Sequence, residues 1–539
     1  MNTWQDLDKA RHDKCGVFGV LAPPSQIKSA DSIPLGELLY YGLYALQHRG
    51  QESCGMAVFD HDHLRLHKDL GLVSQVFQQP ATLKRLSGQV GIGHTRYSTA
   101  GDGQFGNAQP VIARTPLGAL ALAHNGNLIN PEALLEHFGP FDEQDAASLS
   151  DQSDSVWLTQ ALGVAIERCL SEVNNPTPFA ERRFEAVRQV LAQCEGAFSL
   201  VIALGDCLIA ARDRFGIRPL SLGHIEEGPA AGTWVVASET CALDIVGARV
   251  LRDIQPGELW VATRGGKTYS FNIQDPSLVA LPPKAFCVFE MIYFSRPDSM
   301  LCEQSVYTYR LALGRLLAEA DKLNASHGNA VAHGAAAHPA SILPLSAKFD
   351  MVIPVPDSGN VAAVGYSQAS GVPYVEGLIK NRYVGRTFIN PSEGIRQQGL
   401  RLKLNPLTDV LAGKRVVVID DSIVRGNTSR RLVKLLKEAG VAEIHLRVSS
   451  PPVKHPCFYG IDMSEPEQLI ANQMSIADIQ AWLDVDSLAY LSAEDLKRAF
   501  SKPDQATCSA CFTHEYPAGL PQGARTRCDE PILRVSTGS

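Results

Sequence analysis

Along the first 270 residues, apolar positions gather in short runs: CGVFGVL, GMAVFD, VGIGHTRY, ALALAHNGNL, FSLVIAL, CLIAARD and WVVAS. Runs of this length, broken by Gly, Asp and Asn, predict strands. Two intervening stretches, residues 35–47 (LGELLYYGLYALQ) and 181–194 (ERRFEAVRQVLAQC), space their apolar side chains with a helical period. Hairpin-like strand spacing with helices grouped elsewhere predicts a layered α+β domain. QDPSLVALPPK, residues 274–284, reads as a linker because its prolines interrupt any ladder. From residue 285 the pattern changes. FDMVIPV, PYVEGLI, RVVVID and EIHLRVS predict buried strands separated by helical stretches. Within GKRVVVIDDSIVRGNTSRRLVKLLKEAGVAEIHLRV, strand, loop, helix, glycine stop and strand follow in order, a βαβ unit that implies a parallel sheet. Residues 324–346 include NASHGNAVAHGAAAHP, rich in Ala, Gly and His, and are expected to form an exposed insertion. Its histidines read as solvated loop residues in preference to metal ligands.

Composition changes this picture little. With 539 residues the chain exceeds one core, and 45% hydrophobic with 20% charged residues is ordinary for a globular protein. A formal charge of −8 argues against nucleic-acid binding. No apolar run approaches the roughly 20 residues of a membrane span, and MNTWQDLDKARHDK lacks the apolar centre of a secretory signal. A cytoplasmic protein is expected. Twelve cysteines in such a chain are buried, catalytic or metal-bound before they are disulfides. Cys54, Cys169, Cys194, Cys207 and Cys241 lie in apolar or mixed segments and read as small buried hydrophobes. Cys302 and Cys528 carry no interpretable context.

In VVVIDDSIVRGNTS, residues 416–429, a buried strand ends in two carboxylates. The carboxyl ends of parallel strands are where ligands sit, so Asp420 and Asp421 face ribose hydroxyls or a magnesium ion, which prefers oxygen ligands. A helix then opens at Arg425, Gly426, Asn427, Thr428 and Ser429. Its free N–H groups and positive end suit a phosphate, and Gly426 permits close backbone approach. The stretch resembles the phosphoribosylpyrophosphate loop of type I phosphoribosyltransferases. That resemblance implies that Asp420 and Asp421 engage ribose and metal while residues 425–429 hold the 5′-phosphate. Asn427 departs from the threonine usual there, a change that a site of backbone donors tolerates. It further implies Asp357, Ser358 and Gly359 of MVIPVPDSGN beside the pyrophosphate, Ser358 as a magnesium ligand, and Lys380 and Arg382 closing over it.

At the other end of the chain, HDKCGVFGV places Cys15 behind a polar leader. A free thiol with pKa about 8.5 is mostly protonated at neutral pH and needs a base. An N-terminal cysteine carries its own, because an α-amine of pKa about 7.7–8.0 suits a proton shuttle. Removal of Met1 to Lys14 would create it. Downstream come HRGQESCGM, GHTRYST, HNGNL, SDS and GAFSL with RDRFGIRPL, in one order. As a set these resemble the glutaminase domain of class II amidotransferases, which are N-terminal nucleophile hydrolases with a four-layer αββα fold. The resemblance implies that Cys15 attacks the glutamine side-chain amide and forms a thioester. It also implies that Asn125 and Gly126 form the oxyanion hole, that Arg96 binds the α-carboxylate and that Asp154 binds the α-ammonium.

A glutaminase joined to a phosphoribosyltransferase resembles the glutamine phosphoribosylpyrophosphate amidotransferase family, with EMIYFSRPDS and GLRLKLNP as further landmarks. The resemblance implies formation of 5-phosphoribosylamine, pyrophosphate and glutamate in the first committed step of purine synthesis. It implies internal transfer of ammonia, magnesium as cofactor, feedback by purine nucleotides and a homotetramer. Four cysteines remain: Cys287, Cys457 and the C-x-x-C pair Cys508 and Cys511. Spacing leaves tetrahedral zinc and iron–sulfur open. Some family members, those with a cleaved leader, hold a [4Fe–4S] cluster on cysteines at matching places, so the resemblance favours a cluster, structural or oxygen-sensing in role. The expected organisation is a leader 1–14, a glutaminase domain 15–273, the linker 274–284, a phosphoribosyltransferase domain 285–500 containing the 324–346 insertion, and a cysteine-bearing tail 501–539. Another class II amidotransferase, such as a hexosamine-forming one, has no use for IDDSIVRGNTS. An inactive regulatory paralogue would not be expected to retain Cys15, Asn125, Asp420 and Asp421.

Overall fold

A computed structural model describes residues 15–24, 34–61, 63–97, 105–139, 153–172, 177–274, 284–332, 344–381, 404–463, 465–502 and 504–526. The leader, Arg382, Cys528 and most of the linker lie outside the described residues.

The first half stacks two antiparallel sheets. Thirteen strands build them: β1 (Gly16–Leu21), β2 (Ser53–Asp60), β3 (His63–Leu70), β4 (Val90–Arg96), β5 (Val111–Thr115), β6 (Gly118–Leu128), β7 (Gly196–Leu204), β8 (Cys207–Arg212), β9 (Ser221–His224), β10 (Trp234–Ala237), β11 (Arg249–Asp253), β12 (Glu258–Thr263) and β13 (Thr268–Asn272). One sheet runs β11-β9-β10-β1-β4-β2-β3 and the other β13-β12-β8-β7-β6-β5. Between them Val17, Leu21, Ile92, Ala121, Ala123, Val201 and Ala210 form a dry core of small and branched side chains, which lets the sheets approach closely. Outside the first sheet, helix Leu35–Ala45 buries Leu35, Leu38, Leu39 and Leu43. Outside the second, helices Asp154–Ser171 and Phe179–Gln193 cover Leu122, Leu200 and Ile209. This is the expected αββα arrangement. β1 lies inside its sheet, paired with β4 and β10, so Cys15 meets the ends of both.

The second half is a four-stranded parallel sheet in the order Met351–Pro354, Arg415–Asp420, Glu443–Val448, Ser487–Tyr490. Helices Val306–Ala332 and Asn360–Ser370 cover one face, and helices Asn427–Glu438 and Ile476–Leu483 the other. The βαβ unit is present as read, with parallel register from Val416↔Ile444 to Asp420↔Val448.

Two expectations are corrected. PYVEGLI is not a strand of the parallel sheet. Tyr374 makes a single parallel bridge to Val352, and Leu378–Lys380 instead pairs antiparallel with Leu404–Pro406. Ile379 and Lys380 are exposed there, as a two-stranded ribbon outside the core permits. The insertion does not begin as a loop either. Helix Val306–Ala332 carries the chain through its first residues, and 333–343 lie outside the described residues.

Candidate functional site

The cysteine end is organised by buried charge. Cys15 is half-buried at the start of β1, and its thiol lies 3.8 Å from the Tyr97 carbonyl. Burial pushes the thiol up, while that hydrogen bond and the charges of Arg96, Arg218 and Arg49 pull it back. Arg49 donates through Nε to the Cys15 carbonyl at 3.0 Å. The rest of its guanidinium spans Glu239 and Glu290, the latter at 2.8 and 3.0 Å. Arg218 adds a second cation 3.0 Å from Glu290. Glu239 also takes His48 at 2.7 Å, Ser299 Oγ at 2.7 Å and the Arg296 amide at 2.9 Å. Arg49, Arg218, Glu239 and Glu290 are each wholly buried. Two cations and two carboxylates cancel, the condition under which buried charge is tolerated. Burial alone would raise the Glu290 carboxyl, but Arg49 and Arg218 overcome it and hold it at about 2.

Arg96 ends β4 and is buried. Asn125 and Gly126 lie in β6, opposite Ser199 and Phe198 of β7. Both polar atoms of the Asn125 amide are buried and, among the described residues, without a hydrogen-bond partner, as expected of groups kept for a ligand. Asp154 opens its helix, accepting the Leu128 amide at 2.9 Å and standing 3.6 Å from His124 Nδ1. Its carboxylate is thereby fixed beside the strand that carries Asn125.

At the phosphate end, Asp420 ends its strand and Asp421 follows directly, and both are buried. Asp421 accepts hydrogen bonds from Ser358 Oγ and, at 2.6 Å, from Ser422 Oγ. Its amide donates to Asp420 Oδ1 at 3.0 Å. The structure therefore joins Ser358 to the acid pair although 63 residues separate Ser358 from Asp421. Gly359 sits where a Cβ would fall 2.4 Å from the Ile419 carbonyl, so only glycine lets the two strand ends meet. Gly426 caps helix Asn427–Glu438 with φ +79°, a left-handed conformation that favours glycine. Asn427 and Thr428 are half-buried in the first turn, and Arg425 precedes the cap. The buried Ser429 Oγ has no partner among the described residues. Lys380 forms an ion pair with Asp357 at the exposed rim.

Cys287, Cys457, Cys508 and Cys511 come together from three distant segments. Phe286–Cys287 pairs in parallel with Thr507–Cys508, placing Cys287 opposite Cys508; Cys287, Cys508 and Cys511 belong to one core cluster and the partly buried Cys457 packs against it. Burial pushes Cys287 up to about 12 and Cys508 and Cys511 well above the usual range, and the neighbouring thiols raise each further. Arg218 acts the other way on Cys287 and Cys457, and beyond its ion pair with Glu290 its guanidinium nitrogens make no hydrogen bond among the described residues. The sulfurs do not stand as a formed metal site: no group of three or more His, Cys, Asp or Glu among the described residues does. The donor set nevertheless suits a thiolate-bound metal, with four sulfurs and a buried counter-cation. Cys54, Cys169, Cys194, Cys207 and Cys241 are buried, as read, and in no disulfide.

Sequence reasoning missed Arg49, Arg218, Glu239 and Glu290 as one group. Arg49 and Glu290 stand in the quoted segments HRGQESCGM and EMIYFSRPDS, but no local spacing joins partners 241 residues apart.

Fold and sites together define a glutamine-dependent phosphoribosyltransferase. A glutamine amidotransferase domain model matches residues 94–244 and a phosphoribosyl transferase domain model residues 326–451. The amidophosphoribosyltransferase of Synechocystis sp. is 45% identical over 97% of this chain and 96% of its own length. That of Bacillus subtilis is 40% identical over 95% and 96%. A solved B. subtilis glutamine phosphoribosylpyrophosphate amidotransferase, complexed with ADP and GMP, superposes with TM-score 0.76 at 38% identity, covering 95% of this chain and 99% of that one. The chain belongs to the amidophosphoribosyltransferase family. Its activity is glutamine-dependent formation of 5-phosphoribosylamine from phosphoribosylpyrophosphate, with release of pyrophosphate and glutamate. No described helix is long and apolar enough to cross a membrane.

Proposed function

We propose that Cys15 is the glutaminase nucleophile and becomes competent when residues 1–14 are removed. The observation that carries this reading is the position of Cys15: immediately before an internal strand, its carbonyl gripped by Arg49 and its thiol within reach of three arginine charges. In the processed chain the new α-amine takes the thiol proton, and the thiolate attacks the glutamine side-chain carbonyl. Asn125 Nδ2 and the Gly126 amide receive the oxyanion, and the amine returns the proton to departing ammonia. Arg96 and Asp154 hold the α-carboxylate and α-ammonium. In this reading residues 15–273 are the glutaminase, 285–500 the transferase and 501–539 the tail.

Ammonia then attacks the sugar C1 as pyrophosphate leaves. Residues 425–429 hold the 5′-phosphate, Asp420 and Asp421 the ribose, and Asp357, Lys380 and Arg382 the pyrophosphate. Asp420, Asp421 and Ser358 offer magnesium the hard oxygens it requires, and magnesium supplies charge neutralisation to the leaving group. The four cysteines would hold a [4Fe–4S] cluster, with zinc as the alternative, in a structural or oxygen-sensing role; Arg218 offsets thiolate charge. Purine nucleotides act as feedback inhibitors, supported by the ADP and GMP of the B. subtilis relative, and the enzyme works as a cytoplasmic homotetramer.

Intact-mass analysis tests the central point. A mature species beginning at Cys15 is expected, and Cys15→Ala should abolish glutamine-dependent synthesis while sparing the ammonia-dependent reaction. Full glutamine-dependent activity in an unprocessed chain refutes it.

A further inference from the structure

Between the parallel strands Glu443–Val448 and Ser487–Tyr490, the chain runs through Cys457–Gly460 and lies against β6. Asn127 Nδ2 donates to the Phe458 carbonyl at 3.0 Å. Gly460 has φ +92°, and a Cβ placed on it would fall 2.9 Å from the Gly126 carbonyl carbon and 3.0 Å from its Cα and O. Nothing larger than a hydrogen atom fits between these two backbones. Gly126 is equally confined behind, where a Cβ would fall 2.1 Å from the Ala197 carbonyl and 2.9 Å from His124 Nε2. The loop itself is held: the Cys457 amide donates to Met463 O at 2.8 Å, Tyr459 Oη donates to Gly519 O at 2.7 Å, and Tyr516 Oη donates to Pro456 O at 2.7 Å.

We propose that Gly460, with the Asn127–Phe458 hydrogen bond, is a positioning element for the glutaminase step. It clamps Gly126 at its Cα and carbonyl, and through that Cα fixes the direction of the preceding N–H that meets the developing oxyanion. The inference rests on the reading of Asn125 and Gly126 as oxyanion donors. Such donors act only within about 2.7–3.1 Å of the charge, and displacement of a positioning group by about 1 Å can cost on the order of 100-fold. One wall of the glutaminase site is therefore supplied from the transferase half, by the segment between its strands Glu443–Val448 and Ser487–Tyr490.

The test uses the full chain and compares glutamine-dependent with ammonia-dependent synthesis. Gly460→Ala is expected to lower glutamine-dependent kcat at least about tenfold, leaving the glutamine KM and the ammonia-dependent rate near those of the unaltered protein. Asn127→Ala, which adds no bulk, should lower the same kcat about fivefold, the loss expected for one hydrogen bond. It decides alone if Gly460→Ala does not accumulate. An unchanged kcat in these variants overturns the proposal, as does a parallel loss of ammonia-dependent synthesis, which would mark the contact as purely structural. Asn125→Ala separates the two levels. If it is impaired while both positioning variants are not, only the positioning role falls; if it keeps full glutamine-dependent activity, the oxyanion reading falls and this inference with it.

Discussion

Glu290→Gln isolates the charge balance beneath Cys15. The amide matches the carboxylate in shape and keeps part of its hydrogen bonding, so packing is conserved while one negative charge is lost. Arg49 and Arg218 then face Glu239 alone, leaving one uncompensated cation among wholly buried groups. Breaking a buried pair in this way typically costs about 3–5 kcal/mol. The titration of Glu290 leads to a similar magnitude. A carboxyl held at about 2 instead of 4.5 contributes about 3 kcal/mol to folding at neutral pH. Because the folded value is the lower one, this stabilisation is complete above about pH 4.5 and is lost as pH falls toward 2. Differential scanning calorimetry should show the first unfolding transition lowered by at least about 6 °C at pH 7, taking about 2 °C per kcal/mol for a unit of this size. The gap from the unaltered protein should narrow as the pH falls below about 4.5. Adding Arg218→Met restores neutrality and should recover about half the loss or more. A shift under about 2 °C, or no recovery in the double variant, refutes the charge-balance account.

Asp421→Asn should lower pyrophosphate release with either glutamine or ammonia by at least about 100-fold, in the range found for displaced positioning and charge-stabilising groups, and raise the magnesium concentration needed for half-maximal rate; an unchanged magnesium titration counts against the acid pair as its site. Gly426→Ala places a Cβ 2.8 Å from Ile470 Cδ1 and from the Trp482 ring at φ +79°, so a cost of about 1–2 kcal/mol should appear as roughly a tenfold rise in phosphoribosylpyrophosphate KM. Arg218→Met should reduce bound iron or zinc per chain, read by elemental analysis of anaerobically purified protein, because the thiolates lose their buried counter-cation. Metal content equal to that of the unaltered protein argues against that role.

Where hydrophobic pattern and turn chemistry act locally, the sequence was readable. RVVVIDDSIVRGNTS folds as strand, acid pair, glycine cap and helix because each step depends on residues within a few positions of the next. Legibility failed in two physical situations. HLRLHKDL forms an edge strand whose partner among the described residues is β2 alone, and the charged side chains suited to a solvated edge erase the apolar run that would announce it. DSVWLTQALGVAIERCLS forms a helix buried on most sides, including Ser155, Thr159 and Gly163, so no single apolar stripe marks its period. PYVEGLI failed in the opposite sense, because an apolar run next to a parallel sheet was taken up by a ribbon outside it.

The chemistry-bearing contacts between the two halves were beyond any local reading, and they explain how two distant reactions share one frame. Glu290 begins a π turn, Glu290–Phe294, directly after the strand that carries Cys287. Arg310, on the long helix of the transferase half, donates to the Met291 and Ser295 carbonyls of that turn at 2.9 and 2.7 Å. Burial lowers the Arg310 guanidinium to about 10, while the carboxylates of Asp421, Glu239 and Glu290 counteract the shift. Arg310 thus ties the long transferase helix to the turn that begins with Glu290, the carboxylate that pairs with Arg49 beneath Cys15. Buried charges whose partners are all present have one favourable arrangement and large penalties for others. A shift of this turn against the long helix would break both Arg310 hydrogen bonds and disturb the Arg49–Glu290 pair, so the two halves are tied together at the support of Cys15.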